Sequence, residues 1–357
     1  MAPRLKLSGV VLPDDDRQDL WVVDGLIRTE PVSGADAVPG GWLLPGLVDA
    51  HCHVGLEMNG AVPDDVAEQH ALTERSAGAL LLRDAGSPAD TRWMDERDDL
   101  PKIIRAGRHI ARPMRYLRNY GAEVEPGDLV AEVERQAACG DGWIKLVGDW
   151  IDRDIGDLAP LWPAEVAAAA IARAHELGCR VTAHVFGEQA VAELVAAGID
   201  GIEHGTGLDD ATIAIMAQRQ VALVPTMVQL DNFGDYAEAG EAKFPAYAKH
   251  MRALYAGRLE RFGKALDAGV PIYAGTDAGG YLPHGLVGRE IAALAGFSSP
   301  EYALGAGSWR ARSWLGRPDR LAEGAPADVV IFDRDPRIDL DVLMHPTAVI
   351  LRGVRVS

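Results

Sequence analysis

Cysteine is scarce in this chain: Cys52, Cys139 and Cys179 are the only three among 357 residues, an odd count with no CxxC spacing. That argues against a disulfide framework and fits a reducing cytoplasm. Basic residues are also in short supply. Lys and Arg total 35 against 53 Asp and Glu, for a formal charge of -18, which argues against nucleic acid or an anionic membrane surface as partner. No apolar run reaches the ~20 residues of a membrane span, and MAPRLKLSGVVLPDDD lacks the continuous apolar core of a signal peptide. Solenoid repeats and low-complexity segments are missing as well. The expectation left standing is an acidic, soluble cytoplasmic protein, with homo-oligomerisation open.

What the chain does have is enough apolar residues, 48% of the total, to bury a large core. Short runs rich in Val, Ile and Leu occur at 43–50, 79–83, 102–110, 142–147, 180–185, 199–204, 221–226 and 271–276. Segments with helical spacing separate most of them. In PAEVAAAAIARAHELG, Pro163 suits a first turn, the interior is nearly all good helix formers, and Gly178 stands ready to end the helix. A second such stretch, GEQAVAELVAAG, ends at Gly198. Eight strand-helix alternations predict an α/β fold, a (β/α)8 TIM-like barrel, with its chemistry at the C-terminal ends of the strands.

Both chain ends break the alternation. DLWVVDGLI reads as strands around a DG turn, and ADVVIFD and AVILRGVRV follow near the other end without a long helix between them. The expected organisation is a barrel over 43–320 and a small β-sandwich subdomain made jointly from 1–42 and 321–357.

The strand ends carry the chemistry. The first run ends in LLPGLVDAHCHVGL, where His51 and His53 are two residues apart, so that on a strand they share one face roughly 7 Å apart at ~3.3 Å per residue. Cys52 points the other way. Run four carries Lys145, run five His184, run six His204 and run eight Asp277. Four of the ten histidines thus fall at one end of the predicted barrel, whereas His70, His175 and His250 lie in helical patterns and read as surface or packing residues.

Together these residues resemble the amidohydrolase superfamily of metal-dependent hydrolases. The resemblance spans nearly the whole chain, through LLPGLVDAHCH, LLLRDAG, GIEHGT, AGTDAGG with the HG at His284, and EGAPADVVIFDRDP. It is strongest towards the prolidase-like and imidazolonepropionase-like branches. It implies two divalent ions, usually zinc, with His51, His53 and Asp277 on one, His184 and His204 on the other, and Lys145 bridging them as a carbamate derived from carbon dioxide. Such a pair, about 4 Å apart, can generate a nucleophile from water at neutral pH. The competing reading of Lys145 is an ammonium paired with an acid such as Asp149.

Asp277 has two expected roles, as ligand and as the base that takes a proton and passes it to the leaving nitrogen. Asp84 and Glu203 read as supporting acids. His284, after strand eight, and His109, at the end of strand three, are candidate substrate contacts. Relatives carry a Tyr where this chain has Phe186, and a glycine- and histidine-containing segment where it has ARPMRYLRNYG, so dipeptide cleavage is less secure than metal binding.

In that stretch Arg108, Arg112, Arg115 and Arg118 crowd together. A guanidinium there would suit a substrate carboxylate, with Arg115 or Arg118 and Tyr116 as contacts. The expected function is binuclear hydrolysis of an amide-type C–N bond in a small soluble substrate such as a dipeptide or N-acyl amino acid. The alternatives are a mononuclear deaminase or cyclic amidase, a lactonase on the same barrel, and last a noncatalytic scaffold.

Overall fold

The computed structural model describes residues 3–357; the first two residues of the expected subdomain lie outside that range. Strands from both ends of the chain join in one eight-stranded mixed sheet. Leu5–Val11 pairs with Asp16–Val23 and Gly41–Pro45, and Gly41–Pro45 pairs in turn with Val329–Phe332 from the far end of the sequence. The DG dipeptide makes the turn between Asp16–Val23 and Leu26–Arg28. Asp24 and Gly25 have φ of 51° and 77°, the left-handed pair that a tight hairpin needs.

Alternation along Val329–Phe332 sends its side chains to two different cores. Val329 and Ile331 join Leu7, Leu20, Val22 and Leu43 in a cluster belonging to the end sheet. Val330 and Phe332 pack into the main core, so the sheet is anchored to the rest of the chain by its other face. The expected sandwich takes the form of one bonded sheet rather than two. Leu43 to Pro45, read from sequence as the start of the first barrel strand, belong to this sheet, because they pair with Val329 to Ile331. The first parallel strand begins after Gly46, at Leu47.

Parallel strands alternate with helices through the remainder. Leu47–Glu57, Ala79–Asp84 and Lys102–Arg105 form one bonded run. Trp143–Val147, Arg180–Val185, Gly201–His204 and Ala222–Val224 form another. Between the runs, Ile110 pairs with Leu146. The eighth segment is less regular than its apolar run suggested: Ile272 bridges to Leu223, Ala50 N–H donates to Ala274 O at 2.8 Å, and Asp277 N–H donates to His51 O at 2.7 Å.

The two sequence-predicted helices are present as Ala164–Glu176 and Glu188–Ala196. Pro163 sits just before the first as its cap, and Gly178 adopts φ of 77° just after it. Among the described residues no helix is long and apolar enough to cross a membrane.

His250 ties three elements together. It lies on helix Pro245–Asp267, with Nδ1 2.9 Å from Asp157 Oδ1 and Nε2 2.9 Å from Glu188 Oε2. The Glu188 hydrogen bond, helped by Asp157 and opposed by burial, raises its pKa to about 9 from an ordinary 6.5. A raised histidine pKa adds stability that is complete below the unfolded value and fades as pH climbs through the folded one. His250→Gln should therefore lower Tm by roughly 2–4 °C at pH 6, with the deficit closing between pH 6.5 and 9. A deficit that stays constant from pH 6 to 10 would show that the charge pair contributes nothing.

Candidate metal centre

Three side chains from the first and eighth parallel segments converge. His51 Nε2 and His53 Nε2 are 3.3 Å apart, and each is 3.0 Å from Asp277 Oδ1. One ligand atom from each can be chosen so that all lie within 4.8 Å of one another, the only such group of three among the described residues. Nearby, His184 Nδ1 faces His204 Nε2 at 3.0 Å, and the His51 and His204 rings are 5.4 Å apart, centre to centre. Lys145 Nζ lies 3.4 Å from His51 Nε2. The structure thus gathers all six residues that the sequence singled out as ligands.

The second of two register shifts along the first strand explains how it presents its histidines. Against Ala79–Asp84, Asp49 pairs with Leu82 and Cys52 with Asp84, so three steps on one strand match two on the other. Before the bulge, Val48 and Ala50 point into an inner cluster with Leu81, Ile104 and Trp143. After it, Cys52 and Val54 point into the outer core. The extra residue reverses the phase of the strand and turns His51 and His53 towards the other ligands.

Backbone strain marks two more ligand positions. His204 and Asp277 have φ of 67° and 60°, a region that non-glycine residues adopt only where their surroundings impose it. At Asp277 those surroundings are visible. Asp49 accepts from Thr276 N at 3.0 Å and Thr276 Oγ1 at 2.5 Å, and also from His51 N at 3.0 Å. One buried carboxylate therefore bolts both ligand-bearing segments together.

Three of the four imidazoles are held by their far nitrogens. His53 Nδ1 meets Gly86 O at 2.6 Å, and His204 Nδ1 meets Thr226 Oγ1 at 2.7 Å. His51 Nδ1 is 2.8 Å from Glu203 Oε2, though out of line for a good hydrogen bond. The carbonyl of Gly86 and the carboxylate of Glu203 can only accept, which puts a proton on Nδ1 and leaves the Nε2 lone pairs of His51 and His53 facing the centre.

The charges are arranged to match. Burial, reinforced by Lys145 and other imidazoles, keeps His184 neutral and lowers the His204 pKa to about 3. Burial opposes ionisation of Asp277, but His51 and His53, whose Nε2 atoms each lie 3.0 Å from Oδ1, outweigh it and hold the carboxyl well below its usual range. Glu203 is likewise held down against burial by Arg83, His51 and Lys145; Arg83 Nη2 donates to it at 2.6 Å. Asp84 serves the frame, accepting from Val54 N and Gly86 N.

Lys145 is the test of what the cluster is for. Burial lowers its pKa to about 8, with Glu203 and Asp277 pulling the other way. Its Nζ has no carboxylate within ion-pair distance among the described residues. Asp149, the acid that could have paired with it, instead accepts from Phe186 N at 3.0 Å and Gly187 N at 2.6 Å. Neutral imidazoles, an ionised carboxylate and a buried unpaired amine fit divalent cations in the way that an ordinary buried lysine environment does not.

Above the cluster is a cavity of about 220 Å³ with His53, His184 and Asp277 at its base. Phe186 and Tyr116 line it, as do Tyr120, Trp150, Tyr236, Tyr247 and Tyr281, five aromatic residues that the sequence reading missed. The arginines do not reach it. Arg115 Nη1 donates to Asp152 Oδ2 at 2.8 Å, and its Nη2 reaches Trp150 O and Ala159 O at 3.4 Å. It braces the hairpin Asp149–Asp152/Asp157–Pro160. Arg118 is exposed in a neighbouring groove with Arg108 and Arg153.

The two candidate histidines are also elsewhere. His284 is buried, with Nδ1 2.9 Å from Glu74 Oε1 and its ring stacked on His70 at 4.3 Å. His109 lies edge-on to His53 at 5.9 Å and is buried outside the cavity lining.

Comparison with known proteins accords with this geometry. The model of the amidohydrolase family matches residues 150–356, a span that contains His184, His204 and Asp277 but starts after His51, His53 and Lys145. An uncharacterised protein of Mycobacterium tuberculosis is 57% identical over 99% of this chain and 95% of its own length. The ochratoxinase of Aspergillus niger is 26% identical, covering 86% of this chain and 73% of its own. In structure, a putative prolidase from Bifidobacterium longum superposes with a TM-score of 0.85 at 22% identity, over 100% of this chain and 95% of that one.

The bracing role of Arg115 is open to a direct check. Arg115→Ala should speed backbone hydrogen exchange in residues 149–160 roughly fivefold, the scale of an ion pair worth about 1 kcal/mol. Exchange in the parallel strands should not change. An unaltered hairpin would mean that Arg115 is not what holds Trp150 over the centre.

Proposed function

The chain belongs to the amidohydrolase family, hydrolases acting on C–N bonds, and from that premise we propose a centre of two divalent ions, zinc by preference. His51, His53 and Asp277 would hold one ion and His184 and His204 the other, with Lys145, as a carbamate, supplying an anion that both could share. The observation that carries this reading is the buried, unpaired Lys145 amine 3.4 Å from His51 Nε2. A neutral amine can add carbon dioxide and release a proton, becoming the shared anion that two neighbouring cations require. A lysine pKa of about 8 makes the neutral form accessible near neutral pH.

When bound, such ions would supply Lewis acidity for activating water and polarising the scissile carbonyl. Asp277, 15% exposed towards the cavity, takes the proton of the attacking water and delivers it to the leaving nitrogen. Glu203 and the Gly86 carbonyl keep His51 and His53 in the ligating tautomer. The aromatic wall and the braced hairpin limit the access of bulk water. The substrate is a small molecule cleaved at an amide-type C–N bond, a bond class that the names of the ochratoxinase and the putative prolidase support.

The parallel strands form the wall of a closed barrel in this reading, with the eighth segment joining the two bonded runs. The domain boundary falls at Gly46, one strand later than the sequence suggested, and the end sheet forms the second unit.

Asp277→Asn keeps an oxygen donor but cannot accept the proton. In protein loaded with zinc it should lower turnover by roughly 10² or more, with little change in thermal stability. Turnover near that of the unaltered enzyme would show that another group moves the proton.

A further inference from the structure

Five of the chain's eight tyrosines, Tyr116, Tyr120, Tyr236, Tyr247 and Tyr281, line the one cavity above the centre, together with Trp150 and Phe186. They arrive from separate parts of the fold, namely the segment after the third strand, the Asp149–Asp152 hairpin, the end of the fifth strand, two helices after the seventh, and the loop after the eighth. In a chain with only 6% aromatic residues, that convergence calls for a reason beyond core packing. Resting on the C–N hydrolase reading above, we infer that the substrate places an uncharged aromatic ring in this cavity, beside the bond that is cleaved.

Three features support the ring. The walls already meet edge to face: Tyr116 and Trp150 have ring centres 4.8 Å apart at 71°, and Tyr236 and Tyr281 6.5 Å apart at 67°, the arrangement that accepts a further flat ring. The volume suits it too. A cavity of roughly 150 Å³ accommodates benzene, and about 220 Å³ is available here. Finally, the Tyr120 hydroxyl is buried without a partner, a spare donor for an oxygen on the substrate. Its place depends on Gly280, where a Cβ would lie 2.8 Å from that hydroxyl.

The absence of charge follows from the same lining. No lysine or arginine contributes to it, and Asp277 is its one carboxylate. A substrate carboxylate would be desolvated there with no cationic side chain to receive it. The rim arginines occupy the adjoining groove, across Tyr116, where they oppose entry of a cation instead. The free-carboxylate substrate suggested by the arginine run is therefore replaced by a neutral one.

The test compares three amides of similar size with zinc-loaded enzyme: N-benzylacetamide, its saturated counterpart N-(cyclohexylmethyl)acetamide, and the acid N-acetylphenylglycine. The benzyl amide should exceed each of the others in kcat/KM by about tenfold or more. Tyr236→Ala should bring the benzyl and cyclohexylmethyl values together, and Tyr236→Phe should keep them apart. Equal or better turnover of the saturated amide or the acid would overturn the inference.

A binding arm needs no turnover and no metal. The ketone 4-phenylbutan-2-one should quench tryptophan fluorescence and raise Tm in metal-free protein, more strongly than 4-cyclohexylbutan-2-one or tetramethylammonium, and Tyr236→Ala should abolish the difference. Binding with that preference but no hydrolysis of any amide would reject the C–N hydrolase reading and keep the aromatic site. Ketone binding without preference for the ring, or stronger binding of tetramethylammonium, would reject the aromatic site.

Discussion

The contact between the first and eighth parallel segments carries the site. Asp49 is fully buried, where an unpaired carboxylate would be costly, and it is satisfied only by bonding His51 N on its own strand and Thr276 on the other. That fixes the register in which Asp277 N meets His51 O. The strained backbone at Asp277 is the local consequence, and the carboxylate that results sits equidistant from two imidazoles. The bulge between Asp49 and Cys52 completes the arrangement by aiming His51 and His53 at the same point.

Charge balance gives the arrangement its chemical meaning. The centre combines two carboxylates, Glu203 and Asp277, that stay ionised against burial with imidazoles that burial keeps neutral. Arg83 compensates one side of Glu203, and the other side faces His51. Lys145 is left as the buried group without an ionic partner. A protein seeking only stability would gain by replacing such an amine with an apolar residue of similar volume, so its presence argues for a reactive role.

Much of this could be read from the sequence because it depends on local pattern. The HxH spacing follows from strand periodicity, Lys145, His184, His204 and Asp277 follow from position at strand ends, and the joint end sheet follows from DG and from ADVVIFD lying outside the strand-helix alternation. What escaped depends on partners remote in sequence. The bulge is defined only against residues 82–84. Arg115 looked free for a ligand because its partner, Asp152, lies 37 residues away. The cavity wall draws Tyr116, Trp150, Tyr236 and Tyr281 from four connections, and no spacing rule links them.

The most direct measurement is anomalous diffraction at the zinc edge from crystals of zinc-loaded protein. The account predicts two peaks at the mouth of the strands, one among His51, His53 and Asp277 and the other between His184 and His204, with density extending beyond Lys145 Nζ towards both. A single peak at full occupancy with an unmodified Lys145 would contradict it and leave a mononuclear site in which His204 and Lys145 serve some other purpose.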